Sequence, residues 1–199
     1  MKKIGIFSGS FNPIHNGHLI VAEQMVELTE LDEIWFMLTP QNPFKQKKDL
    51  LDENKRLEMV KIAIADNNKF KASDFEFNLP KPNYTFRTLV ELKEKFGTLY
   101  EFSLLIGWDN YLTFDKWKNY IDIINNHKIY IYKRIVEKNK TNLLSHKNFK
   151  IVDSPIIEIS GTSIRHKIDL NQSIKYLVPA EVEYTIKEKQ YYKQELIEL

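Results

Sequence analysis

Short apolar runs alternate with segments of helical period along most of this 199-residue chain, and that alternation narrows the fold more than any other feature. Ile4–Phe7, Glu33–Leu38 and Glu101–Ile106 are nearly continuous in apolar side chains. Strands buried on both faces of a parallel sheet need that composition. Between the first two, Leu19, Ile20, Val21, Met25, Val26 and Leu28 fall at helical spacing. A second amphipathic helix is expected near Asn54–Ile64 and a third over Phe86–Phe96, closed by Gly97, which suits a helix C-cap. Phe70–Phe77 alternates like a strand until Pro80 and Pro82 break it. A helix is expected after Gly107-Trp108-Asp109 to about Asn125, then strands Lys128–Tyr132 and Phe149–Val152. Ser163–Leu177 and Ala180–Tyr192 read as amphipathic helices. The alternation builds βαβ units with right-handed crossovers. It predicts an α/β fold: a Rossmann-like doubly wound parallel sheet with helices on both faces and a helical C-terminal segment. Residues 1–199 read as one domain, with 1–158 an α/β core and 159–199 its helical part.

Composition excludes several chemistries. The chain has no cysteine, which removes disulfides, Cys-ligated zinc, iron–sulfur clusters and a thiol nucleophile together. A formal charge of +2 implies no extended nucleic-acid footprint. Met1-Lys2-Lys3 is basic, but Ile4–Phe7 is too short for a signal h-region, and no apolar stretch is long enough to span a bilayer. The sequence is therefore read as cytoplasmic.

Four segments fall just past expected strand ends, where a doubly wound sheet gathers its ligand contacts. The first is Gly9-Ser10-Phe11-Asn12-Pro13-Ile14-His15-Asn16-Gly17-His18. One histidine at such a turn is often only the start of a helix. Two of them between glycines, added to the anion site of a helix N-terminus, point to phosphate chemistry. The second segment is Asn42-Pro43-Phe44-Lys45, whose lysine sits beside Lys47 and Lys48. The third is Gly107-Trp108-Asp109-Asn110, and the fourth is Ile159-Ser160-Gly161-Thr162-Ser163-Ile164-Arg165. Hydroxyls before a helix either cap it or bind phosphate, and an arginine there can clamp phosphate oxygens. Together, His15, His18, Lys45 and Arg165 with the acidic Asp109 suit a nucleoside triphosphate and a sugar hydroxyl. There is no P-loop, no Gly-x-Gly-x-x-Gly fingerprint and no Gly-x-Ser-x-Gly elbow.

These residues resemble a known family. The opening run is similar to the (His/Thr)-x-Gly-His signature of the nucleotidyltransferase superfamily. Ile159–Arg165 is similar to its second signature, Ile-Ser-x-Thr-x-Ile-Arg. Within that superfamily the chain resembles the bacterial nicotinate-nucleotide adenylyltransferases through Asn42–Lys45, Pro82–Leu89, Gly107-Trp108-Asp109 and Phe114-Asp115-Lys116-Trp117. The resemblance weakens at 135–150 and after 190. It also departs where the family's Gly-Gly-Thr-Phe-Asp-Pro is Ser8-Gly9-Ser10-Phe11-Asn12-Pro13 here, and where an aspartate common in the family is Arg87. A neutral Asn12 can take no role that needs charge.

The resemblance implies adenylyl transfer from ATP to nicotinate mononucleotide, giving deamido-NAD and pyrophosphate, a step of NAD biosynthesis. Mg²⁺ is implied through the ATP phosphates, with no metal held by protein side chains. It also implies small-molecule partners, no nucleic acid and no membrane, and it is compatible with a homo-oligomer. His15, His18 and Arg165 are the implied catalytic residues. Gly9, Ser10, Phe11, Lys45, Gly107, Asp109, Ser160 and Ser163 join them around ATP. Lys45, Tyr84, Thr85, Asp109 and Trp117 are the implied mononucleotide contacts, although an aromatic such as Trp117 is also a natural core residue. Sibling enzymes act on nicotinamide mononucleotide or phosphopantetheine, and the latter group carries threonine where His15 stands.

Overall fold

The structure, a computed structural model, describes residues 1–40, 50–133 and 146–193. Six strands, β1 (Lys2–Gly9), β2 (Glu33–Leu38), β3 (Phe70–Ser73), β4 (Tyr100–Gly107), β5 (Ile129–Tyr132) and β6 (Phe149–Val152), form one sheet in the order β3-β2-β1-β4-β5-β6. Every neighbouring pair is parallel. The chain runs outward from β1 to β3, then returns to the other side of β1 with β4. The crevice at that reversal, outside the carboxyl ends of the strands, is where such sheets bind ligands.

Strand side chains alternate between two separate cores, so both faces of the sheet are covered. Ile4 and Ile6 of β1, Trp35 and Met37 of β2, and Phe102, Leu104 and Ile106 of β4 face one way. They pack with Leu89 and Leu92 of α3 (Thr85–Phe96), Tyr111 of α4 (Trp108–Tyr111) and Ile123 of α5 (Tyr120–Asn126). Phe7, Ile34, Phe36, Leu38, Leu105 and Tyr130 face the other way. Their partners include Met25 of α1 (Asn16–Leu28), Val60 of α2 (Glu53–Ala63), Ile164 of α6 (Gly161–Asp169) and Val182 of α7 (Ala180–Glu188). No helix of the described residues is long and apolar enough to cross a membrane.

Four expected elements differ from those observed. The strand foreseen over Phe70–Phe77 ends at Ser73, whose hydroxyl accepts the Phe75 N–H, and a 3₁₀ turn follows over Phe75–Asn78. The helix expected from Gly107 to about Asn125 is broken into α4, a 3₁₀ turn over Phe114–Lys116, and α5. The breaks let fully buried Phe114 stack on Trp117, with centroids 4.9 Å apart, and meet Phe149 of β6 edge-on. Asn119, at φ 56°, takes the left-handed conformation that starts α5 anew, which asparagine tolerates better than most residues. The helix foreseen over Ser163–Leu177 ends at Asp169, and its continuation folds back to cap α1: the Asn16 N–H donates to Leu177 O at 2.9 Å, and Asn16 Nδ2 to Tyr176 O at 2.7 Å. α7 stops at Glu188, short of Tyr192. Gly97 does close α3, its N–H donating to Lys93 O, but with φ −65° in the ordinary right-handed region.

Phe114 anchors the interrupted segment, so Phe114→Ala should cost about 3–5 kcal/mol in urea unfolding, the usual toll of emptying a buried aromatic site. A loss below about 1 kcal/mol would mean that the breaks are not organised around this ring.

Candidate functional site

β1 stops at Gly9, and residues 10–15 carry the chain to α1. Phe11 sits in that turn with φ 43° and is only 2% exposed, packed edge-on against Phe7 with centroids 5.8 Å apart. With its ring committed to the core, Phe11 can offer a nucleotide only backbone. His15 is the N-cap of α1 and is buried at 3% exposure, while His18 occupies the third helical position. Their rings stack with centroids 3.6 Å apart and 23° between planes. The His15 N–H donates to His18 Nδ1 at 3.3 Å, which leaves the ring proton of His18 to Nε2. Gly17 fits tightly beside this pair: a Cβ there would lie 3.1 Å from His15 Nδ1 and 3.2 Å from Ile157 Cγ2, so those side chains would have to give way.

The second signature segment meets the first. Ser160 is the N-cap of α6, its Oγ accepting the Ser163 N–H at 3.1 Å, so that hydroxyl does serve as a cap. Ser163 itself is exposed. Gly161 rests against the turn after β1 so closely that a Cβ would stand 2.7 Å from Asn12 O. Arg165 Nη1 donates to the same Asn12 O at 2.8 Å. A guanidinium has five N–H donors, so this hold is compatible with further donation to phosphate oxygens. Asn12 also works through its side chain, Oδ1 accepting the Leu51 N–H at 3.2 Å. An amide oxygen suffices for that task, which asks for no charge.

A pocket opens beside the stacked imidazoles, walled by Phe7, Val21, Tyr132, Ile157 and Ile159, with Lys133 at its lining. Gly107, the last residue of β4, is paired with Tyr132 of β5 and forms the N-cap of α4. Exposed Asp109 lies in the first turn of that helix, one strand away from β1.

The remaining expected contacts gather around α3. Tyr84 is its N-cap and Thr85 its first residue, both half-buried. The Lys118 ammonium sits 4.7 Å from the Tyr84 ring centroid, which brings the Trp117–Lys118 segment against the start of α3. Trp117 is half-buried on Phe114, so it is partly a core aromatic and partly accessible. Arg87 is exposed. Lys45, with the rest of Asn42–Lys45, lies outside the described residues.

Two buried charged groups were not foreseen. Arg56 of α2 is 0% exposed and donates to four backbone carbonyls: Leu51, Ser10, Thr39 and Pro40. Glu76, 3% exposed, accepts the Thr88 hydroxyl at 2.9 Å, while its carbonyl takes Asn83 Nδ2 at 3.0 Å. Burial pushes its carboxyl up to about 7, with the Thr88 and Thr39 hydroxyls opposing in part. Neither position carries a motif. In sequence, Arg56 and Glu76 read as exposed positions of a helix and a strand, and only the tertiary fold buries them.

The comparisons with known proteins follow this geometry. Residues 6–167 match the family model described as cytidylyltransferase-like. A protein of Cytophaga hutchinsonii named as a probable nicotinate-nucleotide adenylyltransferase is 48% identical over 190 residues, covering 96% of this chain and 98% of its own. One of Flavobacterium johnsoniae bearing the same name is 48% identical over 193 residues, covering 96% and 100%. Among solved structures, the nicotinic acid mononucleotide adenylyltransferase of Plasmodium falciparum complexed with NaAD superposes with TM-score 0.80, 21% identity and coverage of 96% and 98%. That likeness is one of fold.

Glu76 yields a pH test. Its folded-state pKa lies above the unfolded value, so its favourable contribution is complete below about 4.5 and is lost as pH rises through about 7. At about 1.4 kcal/mol per unit, wild type should forfeit about 3 kcal/mol by pH 8.5 relative to pH 4.5 from this group. The stability gap between Glu76→Gln and wild type should therefore shift in favour of the variant by that amount as pH rises, read by chemical denaturation. A gap that does not change with pH would place the titration elsewhere.

Proposed function

We infer the activity from a premise the comparisons supply: the chain belongs to the nicotinate-nucleotide adenylyltransferases, within the cytidylyltransferase-like family. It transfers an adenylyl group from ATP to nicotinate mononucleotide, yielding deamido-NAD and pyrophosphate in NAD biosynthesis. The observation that carries the reading is the junction of the two signature segments. Stacked His15 and His18 stand at the carboxyl end of β1, and Arg165 is anchored on the same turn through Asn12 O.

In this reading a 5′-phosphate oxygen of the mononucleotide attacks the α-phosphorus of ATP in line. A new P–O bond forms, the bond to the β-phosphate bridging oxygen breaks, and pyrophosphate leaves with the electron pair. Such transfers depend on positioning and charge neutralisation rather than on a covalent catalyst. His18 Nε2–H and His15 donate to phosphate oxygens as charge builds, and the remaining Arg165 donors do so from the α6 side. The backbone of Gly9, Ser10 and Phe11, with Ser160 and Ser163, lines the phosphate path, and Lys45 supplies a further cation. The pocket of Phe7, Val21, Ile157 and Ile159 lies beside the imidazoles, next to the phosphate path. Gly107 leaves the end of β4 open, and Asp109 accepts ribose hydroxyls. The start of α3 at Tyr84-Thr85 offers backbone N–H groups to the nicotinate carboxylate, and Trp117 stacks on the pyridine ring. Residues 1–199 act as one nucleotidyltransferase domain in this scheme.

This reading carries Mg²⁺ on the triphosphate oxygens, beside the His15, His18 and Arg165 donors. When bound, the ion neutralises phosphate charge, while the imidazoles and Arg165 orient the groups around it.

Purified protein with ATP, Mg²⁺ and each of nicotinate mononucleotide, nicotinamide mononucleotide and phosphopantetheine tests the assignment through pyrophosphate release. Preferred turnover of the first is expected, and preference for another would reassign the acceptor. His18→Ala should lower kcat by about 10²–10³-fold, as loss of a transition-state donor does, with little change in melting temperature. A near-wild-type rate would remove His18 from the chemistry. Trp117→Ala should raise KM for the mononucleotide more than for ATP, and equal effects would assign that ring to the core alone.

A further inference from the structure

We propose that Arg56 is a positioning residue that locks the turn after β1 to the segment after β2 and thereby fixes the two substrates relative to each other. Its guanidinium spans three pieces of chain. Nε donates to Leu51 O at 2.7 Å, Nη1 to Ser10 O and to Thr39 O at 3.1 Å, and Nη2 to Pro40 O at 3.2 Å. Ser10 belongs to the turn that leads to the histidines, while Thr39 and Pro40 continue β2 toward the stretch that contains Lys45. The lock closes on itself, because the Leu51 N–H returns to Asn12 Oδ1 at 3.2 Å, two residues beyond Ser10. Arg165 then holds Asn12 O from the opposite side. Arg56 and Arg165 thus grip alternate carbonyls of a single turn.

Arg56 is fully buried and four of its five N–H donors go to backbone carbonyls, so it does not touch substrate. Burying a cation is costly, and an apolar side chain of similar volume often serves a fold equally well. What only a guanidinium provides here is a rigid fork with several donors aimed at different segments. Lysine, with three donors on one atom at the end of a flexible stem, cannot reproduce it. The inference rests on the reading that ATP lies over the turn after β1 and that Lys45, in the chain that continues β2, is a contact of the mononucleotide.

The test uses the full-length protein with Arg56→Lys and Arg56→Met. The expected result is a kcat lowered by about 10²-fold, the scale of a misplacement near 1 Å, with the Kd of ATP alone and of nicotinate mononucleotide alone each within about three-fold of wild type. A kcat within about three-fold of wild type, or a loss matched by weakened binding of one substrate, overturns the proposal. Hydrogen exchange supplies a readout that needs no turnover. Amides of Phe11, Asn12 and Ile14 and of residues 38–39 should exchange faster together in Arg56→Lys, and a change in only one segment, or in neither, also overturns it. If wild type fails to use the mononucleotide, the functional reading falls while this readout still decides the lock. Should the variants fail to fold, denaturant-dependent exchange of wild type decides: the two segments should open with one shared free energy, and separate energies contradict the lock.

Discussion

A parallel sheet buried on both faces leaves only the ends of its strands available for chemistry, and this chain obeys that constraint strictly. Ile4, Ile6, Trp35 and Leu104 fill one core while Phe7, Phe36 and Leu105 fill the other, so the central strands β1, β2, β4 and β5 offer a ligand no face. Polar function is confined to where the strands stop. The order β3-β2-β1-β4-β5-β6 places the turn after β1 and the end of β4 side by side at the reversal of the sheet. Among the described residues, those proposed for ATP gather around that reversal, while Tyr84, Thr85 and Trp117, proposed for the mononucleotide, lie at or near the start of α3.

Backbone carbonyls of the turn after β1 are the currency of this arrangement. Asn12 O receives Arg165, Ser10 O receives Arg56, and Gly161 approaches too closely for any side chain. The turn that carries the histidines is therefore clamped from α2 and α6 at once. A preorganised set of donors of this kind accelerates transfer without reorganising at the moment of reaction. The neutral Asn12 fits, because accepting the Leu51 N–H asks no charge of its side chain.

Much of this was legible in the sequence because its signals are local. The strands at Glu33–Leu38 and Phe149–Val152 match to the residue, the first because a nearly continuous apolar run of that length has few other fates. The placing of His15 and His18 in the turn after the first strand, and the meeting of Ile159–Arg165 with that turn, followed from local motifs, and Gly161 is a steric necessity of that meeting. Long-range effects were not legible. The helix after Asp109 broke because Phe114 is drawn into the core beside Phe149, a contact between distant segments. The strand at Phe70 ended early because Ser73 caps a 3₁₀ turn at the sheet's edge. Arg56 and Glu76 escaped notice for the same reason: charged residues in amphipathic segments read as solvated until the fold buries them.

The central claim is that two segments separated by most of the chain form one catalytic unit. A double-mutant cycle of His18→Ala with Arg165→Ala, read as kcat/KM for ATP, addresses it directly. Arg165 holds the turn that leads to His18, so the two losses should fall short of additivity by about 0.5–3 kcal/mol. Strict additivity of two large effects would show that they act independently and would contradict the account.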